Sequence, residues 1–157
     1  MSCPEVIPEF FILDVDGVLS TGQFLYSSNG KNYKVFGPHD ADGLKMLKGK
    51  LKIAFISADL KGFEISKKRV SDMGYPLFKI SESDRLSFIE SKFGFKNVIY
   101  MGDGYYDAPV LKACVFGIAP ANARKEAKEA AKFITESRAG EGAVLDACLE
   151  IINRYFK

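Results

Sequence analysis

The segment Phe10-Phe-Ile-Leu13, followed at once by Asp14-Val-Asp-Gly17, constrains this chain more than any other. Four apolar residues without a polar interruption are what a strand covered on both faces requires, and the polar, glycine-bearing turn ends it sharply. Strands buried on both faces belong to parallel sheets, and parallel neighbours need helical crossovers. The rest of the chain supplies them. Residues 51–56 and 97–101 read as further core strands, with shorter ones at 76–80, 115–118 and 133–135; helical patterns lie at 63–73, 82–93, 109–113, 123–132 and 142–155. The spacing of Leu44, Met46 and Leu47 adds a short helix from Asp40, with Asp40 or Asp42 as a cap. The fold class is therefore α/β, a Rossmann-like parallel sheet with helices on both faces.

One insertion interrupts the alternation. Short aromatic stretches at 23–26 and 33–36 flank Ser27-Ser-Asn-Gly-Lys31, where Asn29-Gly30 is a strong turn signal, so a β-hairpin is expected over about residues 22–37. Its aromatics, Phe24, Tyr26, Tyr33 and Phe36, would leave an apolar patch on an isolated hairpin, which favours burial against another subunit over ligand stacking. The length of 157 residues suits one domain, 1–157, and 22 basic against 20 acidic side chains give no general drive towards nucleic acid or acidic membranes. No apolar run is long enough to span a bilayer and no basic-then-apolar leader opens the chain, so a cytoplasmic location is expected. Cys3, Cys114 and Cys148 are odd in number and widely spaced, as reduced thiols are, and the charged run 124–132 reads as a solvated helix face.

The chemistry is expected at the strand ends, where parallel α/β sheets place their ligand sites. Asp14 and Asp16 follow the first strand, Ser57 and Asp59 the second, Asp103 and Asp107 the third. Any one of these acids could be an ordinary turn or cap residue. Together, each set directly after a buried strand, they form a converging group whose mutual repulsion calls for a cation or a proton. An all-oxygen set without histidine or thiolate favours a hard ion such as Mg²⁺.

Asp14-Val-Asp-Gly-Val-Leu-Ser20 resembles the first motif of the haloacid dehalogenase superfamily. Its other motifs follow in order: Ser57 after the second strand, Arg85 opening a helix, and Gly102-Asp-Gly-Tyr-Tyr-Asp107 after the third strand. The small size, the hairpin in place of a large cap domain, and the late run Arg138-Ala-Gly-Glu-Gly-Ala-Val144 resemble one branch of it. That branch comprises the phosphatases of 3-deoxy-D-manno-octulosonate 8-phosphate and of nine-carbon keto-sugar-acid 9-phosphates, which are homotetramers with active sites closed by a neighbour's hairpin.

The resemblance implies an aspartyl-phosphate mechanism. Asp14 would be the nucleophile and Asp16 the general acid and base. Mg²⁺ would be held by Asp14, by the backbone carbonyl of Asp16 and by Asp103, with Asp107 either helping the metal site from behind or orienting Arg85. Ser57 would bind a phosphate oxygen, and Arg85 stands where the family usually has lysine, able to contact two oxygens where lysine offers a compact charge. Eight-carbon members usually carry a basic residue just after the second-motif hydroxyl and an arginine in the late glycine-rich run. Asp59 and Glu141 stand there instead and resemble the nine-carbon members. Thr21, where the branch has Asp or Asn, and His39, the only histidine, are the other candidate substrate contacts.

Two other classes compete with a sugar-acid phosphatase. Relatives of such domains fused to cytidylyltransferases serve as non-catalytic oligomerisation modules, but a module without turnover has no need of the second acid, Asp16. A phospho-accepting receiver domain would carry its acceptor after a later strand and lack that acid.

Overall fold

The computed structural model describes residues 6–157, so Cys3 lies outside the described residues. Among the described residues, eight strands and six α-helices follow one another as β1 (Phe10–Asp14), β2 (Ser20–Ser27), β3 (Gly30–Phe36), α1 (His39–Met46), β4 (Lys52–Ser57), α2 (Phe63–Met73), β5 (Leu77–Lys79), α3 (Arg85–Lys92), β6 (Val98–Met101), α4 (Ala108–Ala113), β7 (Phe116–Ala119), α5 (Lys125–Ala130), β8 (Phe133–Ile134) and α6 (Ala143–Tyr155). Six strands form one sheet in the order β5-β4-β1-β6-β7-β8, every pairing parallel. β1 sits inside it, with Phe10 opposite Lys52 on one side and Val98 on the other.

The uninterrupted apolar run of β1 is needed because its alternate side chains enter two different cores. Phe11 and Leu13 pack with Leu44 of α1 and Leu47 at its C-terminal cap, Val70 of α2 and Val144, Ala147 and Ile151 of α6. Ile12 points the other way, to Ile89 of α3, Val110 and Leu111 of α4 and Ala127 of α5. Each of the fully buried Phe, Leu, Ile and Val side chains contributes roughly 1.5–3 kcal/mol by leaving water. No separate cap domain stands over the sheet among the described residues, and no helix there is long and apolar enough to cross a membrane.

Three expectations shift in detail. The hairpin begins at Ser20, with Ser27 paired to Gly30, so its turn centres on Ser28-Asn29 rather than on Asn29-Gly30. Gly30 has φ of +104°, and among the described residues none other than glycine has positive φ, which excludes the type I′ turn that Asn-Gly would favour. The helix expected from Glu82 starts at Arg85, because Ser81 and Asp84 bond each other (2.8 Å) in a local turn that competes with helix. Asp40 lies in the first turn of α1 without capping it; its Oδ1 accepts from the Val144 N–H (3.0 Å) and so caps α6. Cys114 and Cys148 are buried and unbridged.

Candidate active site

Asp14 is the last residue of β1, and an irregular turn over Val15–Leu19 carries Asp16 directly above the sheet edge. One further strand along, β6 ends at Met101 and releases the loop that bears Asp103. Gly17 lets the two segments meet. It has φ of +79°, and a Cβ there would stand 1.9 Å from Asp103 Oδ2. The Arg124 N–H holds the same loop from the far side by donating to the Asp103 carbonyl (2.9 Å).

The floor of the resulting pocket is a charge array centred on Arg85 and Asp107. Arg85, buried at the start of α3, donates from Nη1 to Asp107 Oδ1 (2.6 Å) and lies 3.4 Å from Asp14 Oδ2. Asp107 Oδ1 also accepts from the Tyr100 hydroxyl (2.5 Å), while its Oδ2 accepts from the N–H groups of Asp103 (3.0 Å) and Gly104 (2.9 Å). Four donors therefore saturate the Asp107 carboxylate. Asp14 Oδ1 accepts from the Val15 N–H (2.9 Å).

Crowding and burial tune these groups. Burial above all, then the charges of Asp107, Asp103 and Asp16, push the Asp14 carboxyl well above the usual range against the opposing pull of Arg85. Asp103 is pushed up to about 7, chiefly by burial and then by Asp107. Burial works to lower the Arg85 pKa, but Asp14, Tyr100 and Asp107 outweigh it and keep the guanidinium firmly charged. Asp14, Asp103 and Asp107 each bring a carboxylate oxygen within 4.8 Å of the others. That cluster fits a hard divalent cation: its donors are all oxygen, and the same charge would relieve the repulsion that raises Asp14 and Asp103. With Asp107 already taken by four donors, Asp14 and Asp103 are the side chains with coordination capacity to spare.

The hairpin supplies part of the wall. A pocket of about 370 Å³ is lined by the floor acids and Arg85 together with Phe24, Lys31, Asp59, Glu82, Tyr105 and Tyr106. Lys31 Nζ lies 2.7 Å from Asp59 Oδ2 and 4.1 Å from the centre of the Phe24 ring. Lys34 reaches the same Asp59 oxygen (2.8 Å) and Asp16 (2.9 Å). Burial pulls the Asp59 carboxyl upward, yet the hydrogen bonds from Lys31, Lys34 and the Gly62 N–H prevail and hold it at about 2.

Of the residues singled out in the sequence, Asp14, Asp16, Asp59, Arg85, Asp103 and Asp107 line one pocket. Ser57 sits fully buried just beneath, its Oγ accepting from the Asp59 N–H (3.2 Å). Like Ser57, three others do not line the pocket. His39 is exposed at the start of α1; Glu141 is exposed and 3.5 Å from Arg138 Nε; Thr21 packs on Gly140 at the hairpin base. Sequence reasoning passed over Lys31, Lys34 and Tyr100. Only Tyr100 carried a signal, since a tyrosine inside a buried strand needs a partner for its hydroxyl.

Comparison with known proteins places this geometry. Residues 85–147 match the haloacid dehalogenase-like hydrolase family. The 3-deoxy-D-manno-octulosonate 8-phosphate phosphatase of Haemophilus influenzae is 32% identical over 141 residues, covering 86% of this chain and 77% of that protein. The chain belongs to the haloacid dehalogenase-like hydrolases. Among solved members of the family, the cobalt-bound Haemophilus influenzae enzyme superposes with a TM-score of 0.80 at 31% identity, over 93% of this chain and 88% of that one. The Moraxella catarrhalis 3-deoxy-D-manno-octulosonate 8-phosphate phosphatase, in complex with magnesium, phosphate and the sugar acid, gives 0.81 at 28% identity, over 93% of this chain and 86% of that one. Within the family this protein stands with the phosphatases, as a phosphoric monoester hydrolase.

Proposed function

We propose that the protein hydrolyses a keto-sugar-acid phosphate, 3-deoxy-D-manno-octulosonate 8-phosphate, through a phosphorylated aspartate, with Mg²⁺ as its cofactor. The observation that carries this reading is the convergence of Asp14, Asp16, Asp103 and Arg85 in one pocket at the ends of parallel strands. Asp14 attacks phosphorus, the ester bond breaks, and Asp16 gives its proton to the departing sugar oxygen; Asp16 then takes a proton from the water that cleaves the acyl phosphate, regenerating Asp14. Arg85, fixed by Asp107 and Tyr100, faces the charge that builds on the phosphoryl oxygens. Ser57 is assigned a phosphate oxygen. Asp14, Asp103 and the Asp16 backbone carbonyl would hold Mg²⁺, which when bound neutralises charge between nucleophile and phosphate.

Asp59 and Glu141 were the grounds for a nine-carbon substrate. Two hairpin lysines neutralise Asp59, so that acid does not weigh against the eight-carbon ester, and Glu141, with a 59% exposed side chain, lies outside the pocket of its own subunit. The curated relatives act on that ester by name. His39, Thr21 and Glu141 become substrate contacts only in a multimer. Phe24, Leu25, Tyr26, Tyr33 and Val35 leave the hairpin with an apolar surface that supports a homotetramer with sites at subunit contacts. The test is Mg²⁺-dependent phosphate release from the eight-carbon and nine-carbon esters side by side, with Asp14→Asn as the blank. Turnover of the nine-carbon ester alone reverses the substrate assignment, and turnover of neither above the blank sinks the phosphatase reading for these sugars.

A further inference from the structure

Lys34 is a charged side chain that no solvent reaches. It projects from β3 with a side-chain exposure of 0%, and its Nζ meets three acceptor groups: the Asp16 carboxylate (Oδ1 at 2.9 Å, Oδ2 at 3.0 Å), Asp59 Oδ2 at 2.8 Å and Ser66 Oγ at 2.8 Å. An ammonium has three N–H donors and no acceptor, so every donor is matched. The loop before α2 closes over it, since a Cβ at Gly62 would lie 2.7 Å from Lys34 Cε. With its three donors engaged in this way, Lys34 does not line the pocket and has none left for substrate.

We propose that Lys34 is a positioning residue, whose buried ammonium fixes the Asp16 carboxyl group where it can exchange a proton with the ester oxygen. The inference rests on the assignment of Asp16 as acid and base given above. Asp16 shares one pocket with Asp14 and Asp103, and its side chain is 32% exposed. Left alone, a half-solvated carboxylate beside two others turns towards water. Lys34 supplies the opposing attraction from the hairpin side, and Asp59 and Ser66 keep Lys34 itself from moving. Proton transfer needs heavy atoms about 2.6–3.2 Å apart, so the loss of this tether is felt in proton transfer before it is felt in phosphate binding.

Leaving-group dependence separates those two effects. kcat/KM would be measured with Mg²⁺ for p-nitrophenyl phosphate, whose leaving group departs without a proton, and for phenyl phosphate, which needs one. For Lys34→Met the phenyl ester is expected to lose about 10²-fold and the nitrophenyl ester less than about fivefold, with Lys34→Arg recovering most of the phenyl rate. An equal loss on both esters overturns the proposal, because a lysine that merely braces the fold or attracts phosphate slows both alike. Asp16→Asn is run in parallel. If it discriminates between the esters and Lys34→Met does not, the role of Lys34 falls while that of Asp16 stands; if Asp16→Asn shows no discrimination, both fall. Should Lys34→Met fail to give a cooperative urea transition, Ser66→Ala replaces it: a selective loss of about threefold on the phenyl ester upholds the tether, and none overturns it.

Discussion

Asp103 and Lys31 face the same pocket, yet one follows a strand inside a six-stranded parallel sheet and the other stands on a two-stranded hairpin paired only with itself. The floor, made of Asp14, Asp103, Asp107 and Arg85, draws its positions from strands packed on both faces. Its central acid, Asp107, has every lone pair assigned to a named donor. The wall, made of Phe24, Lys31 and Asp59, is held by ion pairs at the pocket mouth, and its outer face is exposed. The contrast separates two demands. Phosphorus chemistry needs fixed charges, which a sheet supplies, whereas discrimination among organic groups needs a surface that can change without disturbing them.

If that division is right, the two regions respond differently to substitution. The largest effect belongs to Asp14→Asn, which should lower kcat more than about 10³-fold in a steady-state phosphate-release assay while the protein stays folded. Residual turnover near wild type would mean that the floor does not carry the chemistry. Asp107→Ala should cost about 3 kcal/mol in a urea unfolding titration, because Arg85 and Tyr100 lose a buried acceptor together; a loss below about 1 kcal/mol would show the floor to be as forgiving as the wall.

Asp40, which follows the hairpin and caps α6, gives a pH-dependent comparison. Burial raises its carboxyl to about 6 against the hydrogen bonds from α6. A raised folded-state value means that the contribution of Asp40 to stability is fully present below its ordinary value and is lost as pH rises through about 6. Asp40→Asn keeps the capping oxygen and does not ionise. Its stability relative to wild type should therefore climb by on the order of 2–3 kcal/mol between about pH 4 and pH 8, read from paired urea melts. A gap that is constant with pH would place the titration elsewhere. The smallest effect is expected at the wall: Lys31→Met should raise KM about three- to tenfold with kcat within about twofold of wild type. A parallel fall in kcat would erase the distinction between wall and floor.

The acids of the floor were legible in the sequence because they lie on the loops that follow buried strands, and the apolar run of β1 announces where Asp14 must be; Arg85, at the start of α3, was found only through the family resemblance. The wall was not, for a reason visible at Asn32. Leu25 pairs with Tyr33 but Tyr26 pairs with Lys31, so Asn32 is an extra residue that inverts the alternation of β3. Lys31 and Lys34, three apart and on opposite faces of a regular strand, are thereby both turned towards Asp59. No period-two reading of the hairpin can find that. Asp40 failed in a related way: a cap was expected for its own helix, while the N–H it serves belongs to Val144, which only the packing of α1 on α6 brings near.

The place of β1 inside the sheet also sets an order of assembly. Asp14 is made early by the ribosome, but one neighbour of its strand is β4 and the other is β6, and Asp103 and Asp107 follow β6. The hairpin can close from local contacts alone, whereas the acid cluster exists only after roughly two-thirds of the chain has emerged and a long loop has been closed. Until then β1 presents an apolar edge with unpaired backbone groups, so a nascent or truncated chain that ends before Val98 is both inactive and prone to self-association through that edge.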